Sequence, residues 1–166
     1  MRTFSVPDML PSDLEPGCSE PANAAAATLP ARIRWLLVLT AAGLAMSLAI
    51  AGAVEPDPRG YGTHEHLGLR PCTFRVLFNR PCPSCGMTTA WAYAMHGHWL
   101  FAFRANAGGA LLALAAMLAA VWFLGSAVLG RWLFRPPSPK WIGLGASAVG
   151  LITLAQWLVR LFCFIG

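Results

Sequence analysis

The chain has 166 residues, of which 57% are hydrophobic and only 11% charged, a composition suited to a bilayer and far from the soluble average. Its net charge of +5 comes from 12 Lys and Arg residues scattered singly, without the basic stripe that nucleic acid requires, so lipid headgroups are the expected partners and nucleic acid is not. All 7 acidic residues lie at or before Glu65, which removes paired-carboxylate glycoside chemistry, carboxylate cages for calcium or magnesium, and an acid-assisted Ser-His triad from everything beyond that point.

Residues 1–34 are rich in Pro, Ala and small polar residues and predict a mobile tail with an incidental thiol at Cys18. No basic-then-apolar plan marks a cleavable secretory signal there. Residues 35–54 carry no charge and are long enough to cross the hydrocarbon core as a first helix. Arg32, Arg34 and Trp35 mark its leading end, and Glu55-Pro56-Asp57-Pro58 stops it. Gly43, Ser47 and Ala51 give it a small-residue face expected to serve helix packing. Residues 107–129 and 141–159 predict the second and third spans, joined by a short basic loop at 130–140 with Arg131, Arg135 and Lys140 and followed by the C-terminal end 160–166. Gln156, polar within the third span, is expected to bond to a neighbouring helix. With three spans, Arg32, Arg34 and the 130–140 loop share one side, which puts the N-terminus in the cytoplasm and the long loop 55–106 outside.

That loop holds all the chemistry in view: Cys72, Cys82, Cys85 and all 4 histidines. Residues 60–68 are turn-rich, and 74–78 suit a short strand or an embedded loop. Pro83 favours the first helical position, so a short interfacial or re-entrant helix is expected over about 83–96 with Cys82 as its cap. A thiol at a helix N-terminus beside Arg80 would have a lowered pKa.

Three arrangements suit the cysteines. Cys82 and Cys85 can cycle between dithiol and disulfide with Cys72 as an exchange partner. The three thiolates and one histidine, His64 or His66, can hold zinc tetrahedrally. A structural disulfide with one thiol left over suits an oxidising compartment. On a helix over 83–96, His96 would stand about 16 Å along the axis from Cys85 and could not share an ion with it. Covalent haem is not expected, because Gly86 stands where that attachment motif needs histidine. His96 and His98 flank Gly97 as turn residues. Trp91, Tyr93, Trp99, Phe101 and Phe103 suit an interfacial anchor, with Arg104 reaching toward phosphate.

The runs PCTF at 72 and its preceding proline, PCPSCGMTTA from Pro81, the His96-Gly97 pair and AFRAN ending at Asn106 resemble a bacterial membrane-protein family known as domain of unknown function 2752. The resemblance covers about residues 62–114. It implies a small multi-span membrane protein and brings no established activity, and the bacterial inner membrane is the expected location. Cys72, Cys82, Cys85, Gly86, Thr88, Gly97 and Asn106 match the family pattern and are the expected site positions. Thr89 stands where the family usually has arginine, His98 where an acid is usual, and Ala107 where proline is common, so an arginine-acid pairing does not carry over.

The expectation is therefore an all-α integral membrane protein with three transmembrane helices and a short helix bearing the Cys-Pro-x-Cys motif. Its expected function is that of a scaffold or accessory subunit whose Cys/His loop, held by disulfide or zinc, docks a membrane-protein partner. The alternative is a membrane thiol-disulfide oxidoreductase with Cys82 attacking and Cys85 resolving. The lack of acids after Glu65 weighs against an enzyme.

Overall fold

The computed structural model describes residues 28–163. The tail expected over 1–34 therefore lies outside the described residues up to residue 27, as do Cys18 and residues 164–166. The described residues form only helices: α1 (Ala31–Ala53), a 3-10 turn (Thr63–Leu67), α2 (Thr73–Phe78), α3 (Met87–Met95), α4 (Trp99–Ala105), α5 (Ala107–Leu129) and α6 (Pro139–Cys163).

α1, α5 and α6 are long and apolar enough to cross a membrane. At about 1.5 Å per residue each exceeds the roughly 30 Å hydrocarbon core, which marks an integral membrane protein. Their apolar surface needs no interior: Leu36, Leu39, Leu118, Val121 and Leu151 are all exposed, as lipid-facing side chains are.

α1 and α5 pack antiparallel. At one end Arg34 Nε donates to the Ala127 carbonyl at 2.9 Å and the Leu29 amide donates to the Gly130 carbonyl at 2.7 Å. Leu29, Leu37 and Ala127 form a small core there with Val38 and Phe123 against them. The α1 face turned inward carries Leu37, Ala41 and Leu48, while a Cβ at Gly52 would rest against Met95 at 3.5 Å. The expected packing face of Gly43, Ser47 and Ala51 is corrected by this: Gly43 and Ser47 are exposed, nothing lies within 4 Å of a Cβ at Gly43, and Ser47 bonds back to the Gly43 carbonyl. Leu37 and Leu48 bury more apolar surface and take the inner face, with Ala41 between them.

The opposite end is a cap built from α3 and α4 on the start of α5. Its core is almost entirely alanine, with Ala90, Ala94, Ala102, Ala105, Ala110 and Ala113 buried and Trp91, Tyr93, Trp99 and Met117 packed around them. Small side chains let the backbones approach closely. A Cβ at Gly109 would already stand 3.1 Å from Met87 Cα and 3.2 Å from Ala90 Cβ.

Two expectations over the loop are corrected. Residues 74–78 are neither strand nor loop but the helix α2, which Asn79 ends in a left-handed conformation with φ 50°. The helix expected over about 83–96 begins only at Met87, because Gly86 sits before it with φ 84° and residues 82–86 form a turn. The cysteine motif therefore precedes α3 and is not carried on it.

Candidate functional site

The chain leaving α1 is first fixed by Asp57, which is 3% exposed. Its carboxylate accepts from the Arg59 amide at 2.9 Å and from the Arg59 guanidinium at 2.5 to 3.0 Å. The hydrogen bond from the Arg59 side chain outweighs the opposing effect of burial and holds the Asp57 carboxyl down at about 2. The Asp57 amide donates to Thr63 Oγ at 3.0 Å, and Thr63 donates to Thr89 at 2.9 Å. Both threonines are buried, so the 3-10 turn bearing His64 and His66 is pinned to α3 by a short polar chain.

Tyr61 orders the next piece. The Arg75 guanidinium lies 3.5 Å above its ring centroid, a cation-π contact between α2 and the turn before it. The Cys72 carbonyl starts α2 by accepting from the Arg75 and Val76 amides at 3.0 and 3.1 Å. Cys72 is thereby carried to the motif loop, where its Sγ lies 3.5 Å from Cys82 Sγ.

The motif loop 81–86 is held from both spanning neighbours. Asn106, at the break between α4 and α5 and only 2% exposed, donates from Nδ2 to the Pro83 and Cys85 carbonyls, both at 3.3 Å. Its Oδ1 accepts from the Gly109 amide at 2.8 Å and caps α5. From α6, Trp157 Nε1 donates to the Pro81 carbonyl at 2.8 Å. A Cβ at Gly86 would run into the carbonyl oxygens of Ala105 and Gly60, so the loop also needs glycine for its close approach.

Within this loop Cys82 is central. Its Sγ is 3.1 Å from Cys85 Sγ, and its amide donates to Cys85 Sγ at 3.3 Å. All three are free thiols whose sulfurs lie within 4.8 Å of one another. Burial works to raise the Cys82 thiol, but hydrogen bonds with Ser84, Cys85 and Cys72 outweigh it, and the thiol is lowered. Burial, and then the hydrogen bond with Cys82, pushes the Cys85 thiol up to about 12. The expected helix-dipole effect on Cys82 is thus replaced by local hydrogen bonding.

A cavity of about 390 Å³ opens over the three cysteines, and His64 and Glu65 line it. Glu65 Oε2 is drawn to Arg59 at 3.5 Å. His66 turns the other way, with Nε2 3.6 Å from Asp57 Oδ2. His96 rests its Nδ1 2.8 Å from the Ala92 carbonyl at the end of α3, and His98 sits edge-on to Phe101 at the start of α4. Thr88 is exposed at the cavity wall, while Gly97 turns the chain with φ 79° in open space.

Several residues that shape the site escape sequence reading. Thr89 reads as a departure from a family pattern, yet it is 0% exposed and anchors the histidine turn. Gln156 does bond to a neighbouring element, and it does so at the α4–α5 break: Oε1 accepts from the Ala107 amide at 2.6 Å and Nε2 donates to the Phe103 carbonyl at 2.9 Å. Arg160 adds donors to the Arg104 and Ala105 carbonyls. These groups satisfy backbone atoms that a broken helix leaves without partners at membrane depth. The available signal is the set of polar and aromatic residues 156, 157 and 160, one helical turn near the end of an otherwise apolar span.

Zinc-bound thiolates at about 2.3 Å from the metal stand roughly 3.8 Å from one another. The sulfur separations of 3.1 and 3.5 Å about Cys82 are a few tenths of an ångström shorter than that, and all three sulfurs lie within 4.8 Å of one another. No curated protein and no solved structure matches the chain. Residues 72–122 match the model of the family described as Protein of unknown function (DUF2752), the same family that the cysteine motif resembles, and the match covers the three clustered cysteines and Asn106.

Proposed function

We propose that the protein is an integral membrane scaffold whose loop end is locked by a zinc ion held by Cys72, Cys82 and Cys85, with His64 as the fourth ligand, and that this locked end docks a membrane-protein partner. The observation that carries the reading is the convergence of three thiols, rather than two, within 4.8 Å, Cys82 and Cys85 from the motif loop and Cys72 from the start of α2. A disulfide would leave one of them over, whereas a closed structural site uses all three and one histidine. His64 lines the cavity above them, and His66 is engaged with Asp57. The surrounding loop is tied to α5 and α6 through Asn106 and Trp157, as suits a structural element. Basic residues at 32, 34, 131, 135 and 140 support an N-terminus in the cytoplasm and a zinc loop outside, and the bacterial inner membrane is the membrane that this reading takes.

The central position of Cys82 favours one other reading, thiol-disulfide exchange. In it the Cys82 thiolate attacks a disulfide of a partner protein, Cys85 resolves the mixed disulfide, and the partner leaves as two thiols. Two electrons pass from the Cys82/Cys85 pair to the partner.

Metal analysis of the full chain purified in detergent separates the two. Zinc at about one per chain, lost in Cys72→Ser, Cys82→Ser and Cys85→Ser and weakened in His64→Ala, supports the scaffold. Metal-free protein in which Cys82 and Cys85 interconvert reversibly in an alkylation titration against a thiol redox buffer overturns it in favour of exchange.

A further inference from the structure

A second cavity, of about 590 Å³, lies on the other side of the Tyr61–Arg75 stack, and those two residues line both cavities. Its wall carries Arg59, Arg75, Arg80, Arg104 and Arg160 and no acidic residue. Arg59 is neutralised by Asp57 behind it. Among the described residues no carboxylate pairs with the other four: Arg75 rests on Tyr61, and Arg160 donates to backbone carbonyls that carry no charge. Four uncompensated guanidinium groups around one hollow repel one another unless an anion joins them.

The position of the cavity says where that anion comes from. Arg160 stands in the last turn of α6, and Arg104 stands just before α5 begins, so the hollow lies at the level where spanning helices leave the hydrocarbon. Phe101 and Leu161 complete its wall as apolar surface beside the charges.

We propose that this cavity is a binding site for the phosphate group of an anionic phospholipid, with the guanidinium groups on the phosphate oxygens and the acyl chain leaving along Phe101 and Leu161. Guanidinium matches phosphate through paired N–H donors, and Arg80 and Arg104 have no competing partner among the described residues.

The test uses the full chain purified in a neutral detergent, with dioleoyl phosphatidic acid, dioleoyl phosphatidylcholine and inorganic phosphate as separate probes. Native mass spectrometry and thermal unfolding are read for each. Phosphatidic acid should be retained and should raise the melting temperature, and Arg80→Gln/Arg104→Gln should weaken its binding by about tenfold or more. Arg131→Gln/Arg135→Gln, the same loss of charge at the opposite end, should leave binding unchanged and serves as the control for bulk charge. Equal binding of phosphatidylcholine, equal loss in the two double variants, or undiminished binding in the Arg80/Arg104 variant overturns the proposal. Stabilisation by inorganic phosphate equal to that by the lipid shows a soluble anion site and overturns the lipid assignment. Zinc content is read on the same samples, so failure here is distinct from failure of the metal site.

Discussion

The two ends of the α1–α5 pair are built differently. At the Arg34 end two contacts to backbone carbonyls, from Arg34 and from the Leu29 amide, close the structure over a small core of Leu29, Leu37 and Ala127. At the cysteine end α3 and α4, both too short to span, are held by polar side chains that satisfy particular backbone atoms, Thr63, Asn106, Gln156 and Trp157, with Thr89 accepting from the Thr63 hydroxyl. Apolar length suffices to place a helix in a bilayer, where any lipid-facing side chain is solvated. An irregular loop beside that bilayer needs a named partner for each carbonyl and amide, because neither lipid nor a continuing helix supplies one. The Arg34 end tolerates substitution by composition, while the cysteine end depends on individual atoms.

The sharpest break of that contrast is Gly86→Ala. It combines a φ of 84° with a Cβ that would meet backbone oxygens of Ala105 and Gly60, the first of which belongs to the α4–α5 break. A loss of about 4 kcal/mol is expected, read as a fall in melting temperature together with full alkylation of Cys82 and Cys85 in the folded membrane sample. An unchanged alkylation pattern would show that the loop does not need its glycine.

Asn106 comes next. Asn106→Ala removes three hydrogen bonds from a buried site and should cost about 3 kcal/mol. Asn106→Asp keeps the oxygen that caps α5 but presents a charge to the Pro83 and Cys85 carbonyls. It should therefore leave α5 intact by hydrogen exchange while loosening residues 81–86. If both variants loosen the loop and the start of α5 equally, cap and clamp are one unit.

The smallest effect is one of pH. The Asp57 carboxyl is held at about 2 in the folded protein against an ordinary value of 3.8, so the unfolded chain takes up its proton first as pH falls. Its contribution to stability is complete above about pH 4 and is lost as pH falls through about 2. In a melting series between pH 6 and pH 2, Asp57→Asn should flatten that part of the profile and lower the melting temperature at neutral pH. The same slope in both proteins would show that the Asp57–Arg59 pair contributes nothing.

How far the sequence could be read follows the same division. Three helices long and apolar enough to cross a membrane are visible in uninterrupted apolar runs, and the grouping of Cys72, Cys82 and Cys85 is visible in their neighbourhood. The local geometry between them is not. Pro83 favours a helix start, but the left-handed Gly86 and the Asn106 amide on the Pro83 carbonyl hold residues 82–86 as a turn. The six residues of α2 alternate no better as helix than as strand, and what fixes them is Arg75 on Tyr61, a contact between segments that no local pattern encodes. Thr89 and Gln156 look ordinary until the atoms they serve are known.

The side chain of Asn106 also has a handedness of its own. Its oxygen faces the Gly109 N–H and its nitrogen faces two carbonyl oxygens. Rotating the amide by half a turn would set N–H against N–H and oxygen against both carbonyls, turning three attractions into three repulsions. Glutamine has the same amide but sets it one methylene further out, where it no longer reaches Gly109 and the loop together. The position therefore reads amide chemistry and side-chain length at once, so glutamine should rescue Asn106→Ala poorly.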